Sequence, residues 1–169
     1  METKKVSAKQ FASAITGAAF LTLLDQLTKI WAIHSLKDQP PVIWIQGVFE
    51  LLYLENRGAA FGLMQNQKWL FLISVFLVLC VSGYFFYRMP PDRHYTPLRL
   101  IAVFISAGAI GNMIDRIARG YVVDFFYFSL IDFPVFNVAD IYVTVSAVCF
   151  ILLFLFYYKE EDFQFLSKK

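Results

Sequence analysis

The chain has 169 residues, of which 59% are hydrophobic and 17% charged, with a formal net charge of +2. A water-soluble domain is nearer ~45–50% apolar and ~25% charged, so the composition excludes an ordinary soluble protein and points to an integral membrane protein. The small net charge does not suggest a nucleic-acid partner, and the length is that of one membrane-embedded domain, residues 1–169.

The first apolar run, Phe11 to Leu24, continues to Ile33 if Asp25 and Lys29 are tolerated within it. Lys4, Lys5 and Lys9 precede it, and Ala18-Ala19 imitates a secretory cleavage site. The apolar pattern runs on through those small residues towards Trp31, so the expectation is an uncleaved span over about 11–33. Asp25 and Lys29, four apart, share one helix face. Charges inside a membrane usually pair, which predicts a structural ion pair. The alternative makes Lys29 the base for a nucleophilic serine, but no serine has the context of a nucleophile.

Pro40-Pro41 opens "VIWIQGVFELLYLEN", rich in β-branched and aromatic residues and broken at Gly47. It reads as short strands forming a small platform. "ENRGAAFG" follows, Glu55 to Gly62, a turn towards the next helix. Asn56 there could hydrogen-bond a peptide backbone, while Gly58, Ala59 and Ala60 allow close approach.

Trp69 to Tyr87 carries no charge and predicts a span over about 69–88. The third run, Leu100 to Ile114, is short, and Leu98 with a snorkelling Arg99 extends it to about 98–115. It ends in "AGAIGNMIDR". Close helix packing accounts for Gly108 and Gly111 but leaves Asn112, Asp115 and Arg116 unexplained. "GYVVDFFYFSLIDFPVF", which contains Asp124, reads as an extended aromatic segment along the membrane interface. The fourth run, Ile141 to Tyr158, begins just after Asp140 and predicts a span over about 139–158. Asn137 would cap that helix, and Asp140 would sit favourably against its dipole. Each run approaches the ~20 residues that cross a ~30 Å hydrocarbon layer. Cys80 and Cys149 lie inside apolar runs and read as small buried hydrophobes. No metal-ligand spacing occurs, so neither metal nor cofactor is expected.

The fold class is therefore an all-α integral membrane protein, four transmembrane helices with a small extracytoplasmic β platform, and outer segments at about 34–68 and 116–138. Four spans place both termini on one side. Nine of the fifteen basic residues fall on that side (Lys4, Lys5, Lys9, Arg88, Arg93, Arg99, Lys159, Lys168 and Lys169), which assigns it to the cytoplasm. At 1.5 Å per residue, Asp25, Lys29, Asn112, Asp115, Arg116, Asn137 and Asp140 then converge near the outer face, with Asn56 and Asp124 in the outer connections. Two neighbouring carboxylates cannot both ionise cheaply. They share a proton, so that one serves as base towards a water while the other donates to a carbonyl. Asp124 and Asp140 are the candidates. His34 and His94 fall at opposite sides and form no pair.

Taken in order, "DQLTK", "ENRGAAFG", "GAIGNMIDR", "VVDF" and "FNVAD" resemble the motifs of the bacterial lipoprotein signal peptidases, signal peptidase II. The resemblance spans about Asp25 to Asp140 and departs little: Ala107 stands where a glycine is common, and Arg57 occupies a variable position. It implies an intramembrane aspartyl endopeptidase of the bacterial cytoplasmic (inner) membrane. Such an enzyme removes signal peptides from diacylglyceryl-modified prolipoproteins, before the lipidated cysteine. It implies Asp124 and Asp140 as the catalytic pair, and Asn56, Gly58, Asn112, Arg116 and Asn137 as residues that line the site and hold substrate. Asp25, Lys29 and Asp115 are implied as support. Its partners would be lipid-modified prolipoproteins and membrane lipid, and a monomer is expected. Two rivals remain: another intramembrane hydrolase using the same acids, and a non-enzymatic small transporter or assembly subunit working through Asp25–Lys29.

Overall fold

The computed structural model describes residues 6–58 and 68–166. Lys4, Lys5, Lys168 and Lys169 of the charge count, and Ala59 and Ala60 of the close-approach segment, lie outside the described residues.

Helix α1 runs from Ala8 to Leu36 and starts with a capping box: Ser7 Oγ accepts from Gln10 N–H, and Gln10 Oε1 accepts from Ser7 N–H. Its buried residues, Thr22, Asp25, Lys29, Ala32 and Leu36, are three or four apart and form one stripe. The outward faces carry Ile15, Phe20, Leu23, Leu27 and Ile30. This is the reverse of a soluble helix. Lipid is as apolar as leucine, so polar pairing and close packing decide what turns inward. The helix stops where Lys37 becomes extended and Asp38 takes a positive φ, just before Pro40-Pro41.

Strands β1 (Val42–Ile45) and β2 (Phe49–Asn56) pair antiparallel through a turn in which Gly47 has φ +70°. Most side chains avoid that conformation. The platform expected from the sequence is present, with a third member. β3 (Val122–Tyr127) adds antiparallel to β2, giving the order β1-β2-β3. Asp124 therefore does not sit in a loop; it is paired opposite Leu54. One face of the sheet packs Leu51, Val123 and Phe125 onto Ala32 and Leu36 of α1. Alternation along the strand turns Asp124 to the opposite face, where Asn56 meets it.

Helices α2 (Lys68–Arg88), α3 (Thr96–Ala118) and α4 (Val138–Phe156) complete the chain. Among the described residues, four helical stretches are long and apolar enough to cross a membrane. α3 is central and packs against the other three. Gly108 brings it onto α4, since a Cβ there would lie 2.6 Å from the Ala139 carbonyl oxygen. Gly111 serves another purpose: a Cβ would overlap the Asp25 carboxylate. After α3, Gly120 at φ +83° turns the chain into β3.

Two expectations change at this level. Arg99 does not snorkel. It is buried and donates to the carbonyl oxygens of Pro90 and Asp92, at 2.7 and 2.5 Å, closing the α2–α3 connection. Cys80 and Cys149 are exposed on outward helix faces rather than buried, because a thiol is apolar enough to face lipid.

Candidate active site

The capping of α4 builds half of the site. Asn137 Oδ1 accepts from Asp140 N–H, and Asp140 Oδ2 accepts from Asn137 N–H, both at 3.1 Å. This reciprocal box fixes Asp140 in the first turn with its other oxygen free to point away. That oxygen accepts from Asn112 Nδ2 at 2.8 Å. On β3, Asp124 Oδ1 accepts from Asn137 Nδ2 at 2.6 Å, and Oδ2 from Asn56 Nδ2 at 2.8 Å. All four oxygens of the two acids are thus oriented by donors. Asn137 bridges the pair: its side-chain amide donates to the Asp124 carboxylate and its backbone N–H to the Asp140 carboxylate.

Asn137 is fully buried and uses every amide atom: its second N–H donates to Asn112 Oδ1 at 3.1 Å. The sequence suggested that it lines the site and holds substrate; it lies buried between Asp124 and Asp140. Asn112 is half-buried and reaches the surface of the site. Asn56 is held by Gly58, whose N–H donates to Asn56 Oδ1 at 3.0 Å. The Gly58 carbonyl in turn accepts from Arg116 at 3.1 Å. The Arg116 guanidinium also lies 4.2 Å from the centre of the Phe71 ring, a cation–π contact between α3 and α2.

Beneath the acids lies a buried charge cluster. Lys29 Nζ contacts Asp25 at 2.9 Å, Asp115 at 3.2 Å and Asn112 Oδ1 at 2.8 Å, and all three residues of the ion pairs are fully buried. An ammonium has three protons, so nothing remains to activate a serine. Ser106 faces a separate cavity of about 620 Å³ between α1, α2 and α3, whose wall holds no ionisable residue among the described residues. The cluster extends to two residues that the sequence reading missed. Gln26 Nε2 donates to Asp25 at 3.2 Å and Asp115 at 3.3 Å, and Arg119 pairs with Asp115 at 2.5 Å. Arg119 stands four residues after Asp115, the same spacing that singled out Asp25 and Lys29, so the signal was available.

The acids open onto a groove of about 560 Å³. Asn56, Gly58, Asn112 and Arg116 line its polar end, and Phe128, Ile131, Phe133, Ile141 and Val145 continue it along α4. Asp124 is 1% exposed. Its carboxyl is pushed up to about 7, first by burial and then by the charge of Asp140, against the opposing hydrogen bonds from Asn56 and Asn137 and the nearby charge of Lys29.

A family model described as signal peptidase (SPase) II matches residues 17–156. The chain belongs to the signal peptidase II family. It is a peptidase and a multi-pass membrane protein, which sets aside the transporter and assembly-subunit reading. Among its relatives, the lipoprotein signal peptidase of Clostridioides difficile (strain 630) is 45% identical over 134 residues, 79% of this chain and 88% of that one. The lipoprotein signal peptidase of Streptococcus thermophilus (strain CNRZ 1066) is 43% identical over 139 residues, 82% and 88% of the two chains. A solved bacterial membrane enzyme, determined by the in meso method at 2.3 Å, superposes with a TM-score of 0.74 at 29% identity, over 92% of this peptidase and 93% of that chain.

Proposed function

We propose that this peptidase is an aspartyl endopeptidase that removes signal peptides from diacylglyceryl-modified prolipoproteins, cutting before the lipidated cysteine. The observation that carries the reading is the bridge of Asn137, whose side-chain amide bonds the Asp124 carboxylate and whose backbone N–H bonds the Asp140 carboxylate, both facing one groove. The substrate class rests on the family and on relatives named lipoprotein signal peptidase. No cofactor takes part. The protein acts as a monomer in the bacterial inner membrane, with both termini in the cytoplasm and the sheet and acids at the outer face. The excess of basic residues on the terminal side supports that orientation.

In the proposed reaction Asp124, the more deeply buried acid, carries the shared proton, and Asp140 is the carboxylate that faces water. Water oxygen adds to the scissile carbonyl carbon as Asp140 takes one of its protons, and Asp124 gives its proton to the carbonyl oxygen. The tetrahedral diol collapses: the C–N bond breaks, the amine nitrogen takes the proton from Asp140, and a hydroxyl proton returns to Asp124. Both acids regain their starting states. Arg116, Asn56, Gly58 and Asn112 line the polar end of the groove, which supports assigning them to the peptide backbone of the substrate.

The test is turnover of a lipidated precursor by purified protein. Asp124→Asn and Asp140→Asn keep size and lose the proton chemistry, so each is expected to be inactive while remaining folded. The double variant is expected to be little worse, because groups acting as a unit fail together. Near-normal turnover by either single variant would refute the assignment.

A further inference from the structure

Two buried backbone bonds sit in matching places. Val123 N–H, the amide just before Asp124, donates to Asp115 Oδ2 at 3.1 Å. Ala139 N–H, just before Asp140, donates to Asp25 Oδ1 at 2.9 Å. Both accepting carboxylates end on the same Lys29 ammonium. The third bond of that ammonium goes to Asn112, whose amide holds Asp140 directly. Gln26 spans the two carboxylates, and Arg119 closes the remaining oxygen of Asp115.

An ion pair needed only to make burial tolerable would require one acid and one base on α1. Here Lys29 gathers acids from α1 and α3, and each acid reaches a different structural unit: Asp115 grips β3, and Asp25 grips α4. Val123 and Ala139 are fully buried, so without these acceptors their amides would be stranded donors, which proteins avoid. The two units that carry the reacting acids are therefore referenced to a single nitrogen atom.

We propose that Lys29, with Asp25 and Asp115 as its arms and Arg119 as an outer brace, is a positioning clamp that sets the separation of Asp124 and Asp140. This rests on the reading of those two residues as the catalytic dyad. Lys29, Asp25, Asp115 and Arg119 do not line the groove. Among the described residues Arg119 bonds only Gln26 and Asp115, neither of them in the groove wall, so loosening the clamp there displaces the reacting groups and leaves the substrate's binding surface intact. Misplacement by about 1 Å is enough to cost on the order of 100-fold in rate. The loss belongs in kcat, with KM little changed.

The experiment uses the full chain in lipid with a lipidated precursor, and kcat is referred to the folded fraction measured by thermal melting. Lys29→Met is expected to lower kcat at least ~100-fold, and Arg119→Gln is expected to lower it at least ~10-fold with KM within about threefold of wild type. Arg119→Lys, which can still reach Asp115, is expected to recover most of the loss. Removing Lys29 strands two buried carboxylates, so where that variant fails to fold the Arg119 pair decides. A merely structural role would lower the folded fraction and leave kcat per folded molecule unchanged. That result, or a raised KM at unchanged kcat, overturns the clamp. Asp124→Asn and Asp140→Asn are assayed alongside. If either turns over normally, the dyad and the clamp fall together; if both are inert while Arg119→Gln matches wild type, only the clamp falls.

Discussion

Burial lifts the Asp124 carboxyl more than any neighbouring charge does, and this ties its chemistry to the stability of the fold. The folded protein keeps this proton up to about pH 7, whereas an unfolded aspartate releases it near 3.8. Between those values the native state binds more protons, so the Asp124 contribution is greatest at low pH and is lost as pH rises through about 7. Asp124→Asn removes that dependence. The melting temperature of the variant relative to wild type is therefore expected to climb from about pH 4 to about pH 8; a flat difference would mean the carboxyl titrates normally. Arg116 makes a second residue-scale prediction. It bonds the Gly58 carbonyl and stacks on Phe71 at once, and a lysine cannot reproduce both contacts. Losing one of the two, about 0.5–2 kcal/mol for the cation–π contact or about 1 for the hydrogen bond, predicts on the order of tenfold lower kcat/KM for Arg116→Lys. Wild-type kinetics would make Arg116 an interfacial anchor only. These polar residues were legible in the sequence because a charge or amide among apolar neighbours is conspicuous. The amides of Val123 and Ala139 were not, since a backbone N–H is present at nearly every position.

At the scale of elements, α3 carries the tightest requirement. Gly111 leaves the space that the Asp25 carboxylate fills, whereas Gly83 on α2 has open surroundings. Gly111→Ala is expected to destabilise by about 1–3 kcal/mol and to reduce activity through Asp25, while Gly83→Ala is expected to be nearly silent. Thermal melts of the two variants make the comparison, and equal melts would remove Gly111 from this role. The helices were readable from apolar runs and caps, and β1 and β2 from composition and Gly47. The place of β3 was not readable. Its pairing joins Leu54 to Asp124 across a long stretch of intervening chain, and an extended aromatic segment looks the same whether it lies on lipid or on another strand. Arg99 misled for a related reason: its charge suggested water, but it donates to two loop carbonyls and the Thr96 hydroxyl.

For the whole molecule, the acids sit where four apolar helices meet a small sheet, so a substrate must present its bond at that depth. A signal-peptide helix can slide along its axis. Two acyl chains on the following cysteine, at roughly 0.8 kcal/mol per buried methylene, fix the depth. A precursor without the diacylglyceryl group is therefore expected to be cleaved at least ~100-fold more slowly, read by gel shift with matched substrates. Equal rates would leave the dyad in place and refute selection by lipid.

The bond from Ala139 to Asp25 joins residues 114 apart in the chain, and this has a consequence for how the protein is made. α1 enters the membrane before either α3 or α4 exists. During that interval Asp25 and Lys29 have each other, one helical turn apart, and Gln26 of the same helix. Their mutual neutralisation lets an otherwise apolar segment be accepted by the bilayer without its eventual partners. α3 then brings Asp115 and Asn112, β3 brings Asp124, and only α4, the last to be synthesised, supplies Asp140 and the Asn137 bridge. On the proposed dyad, a nascent chain has no proteolytic capacity until α4 is inserted. Biogenesis itself keeps a half-built peptidase from cutting its neighbours.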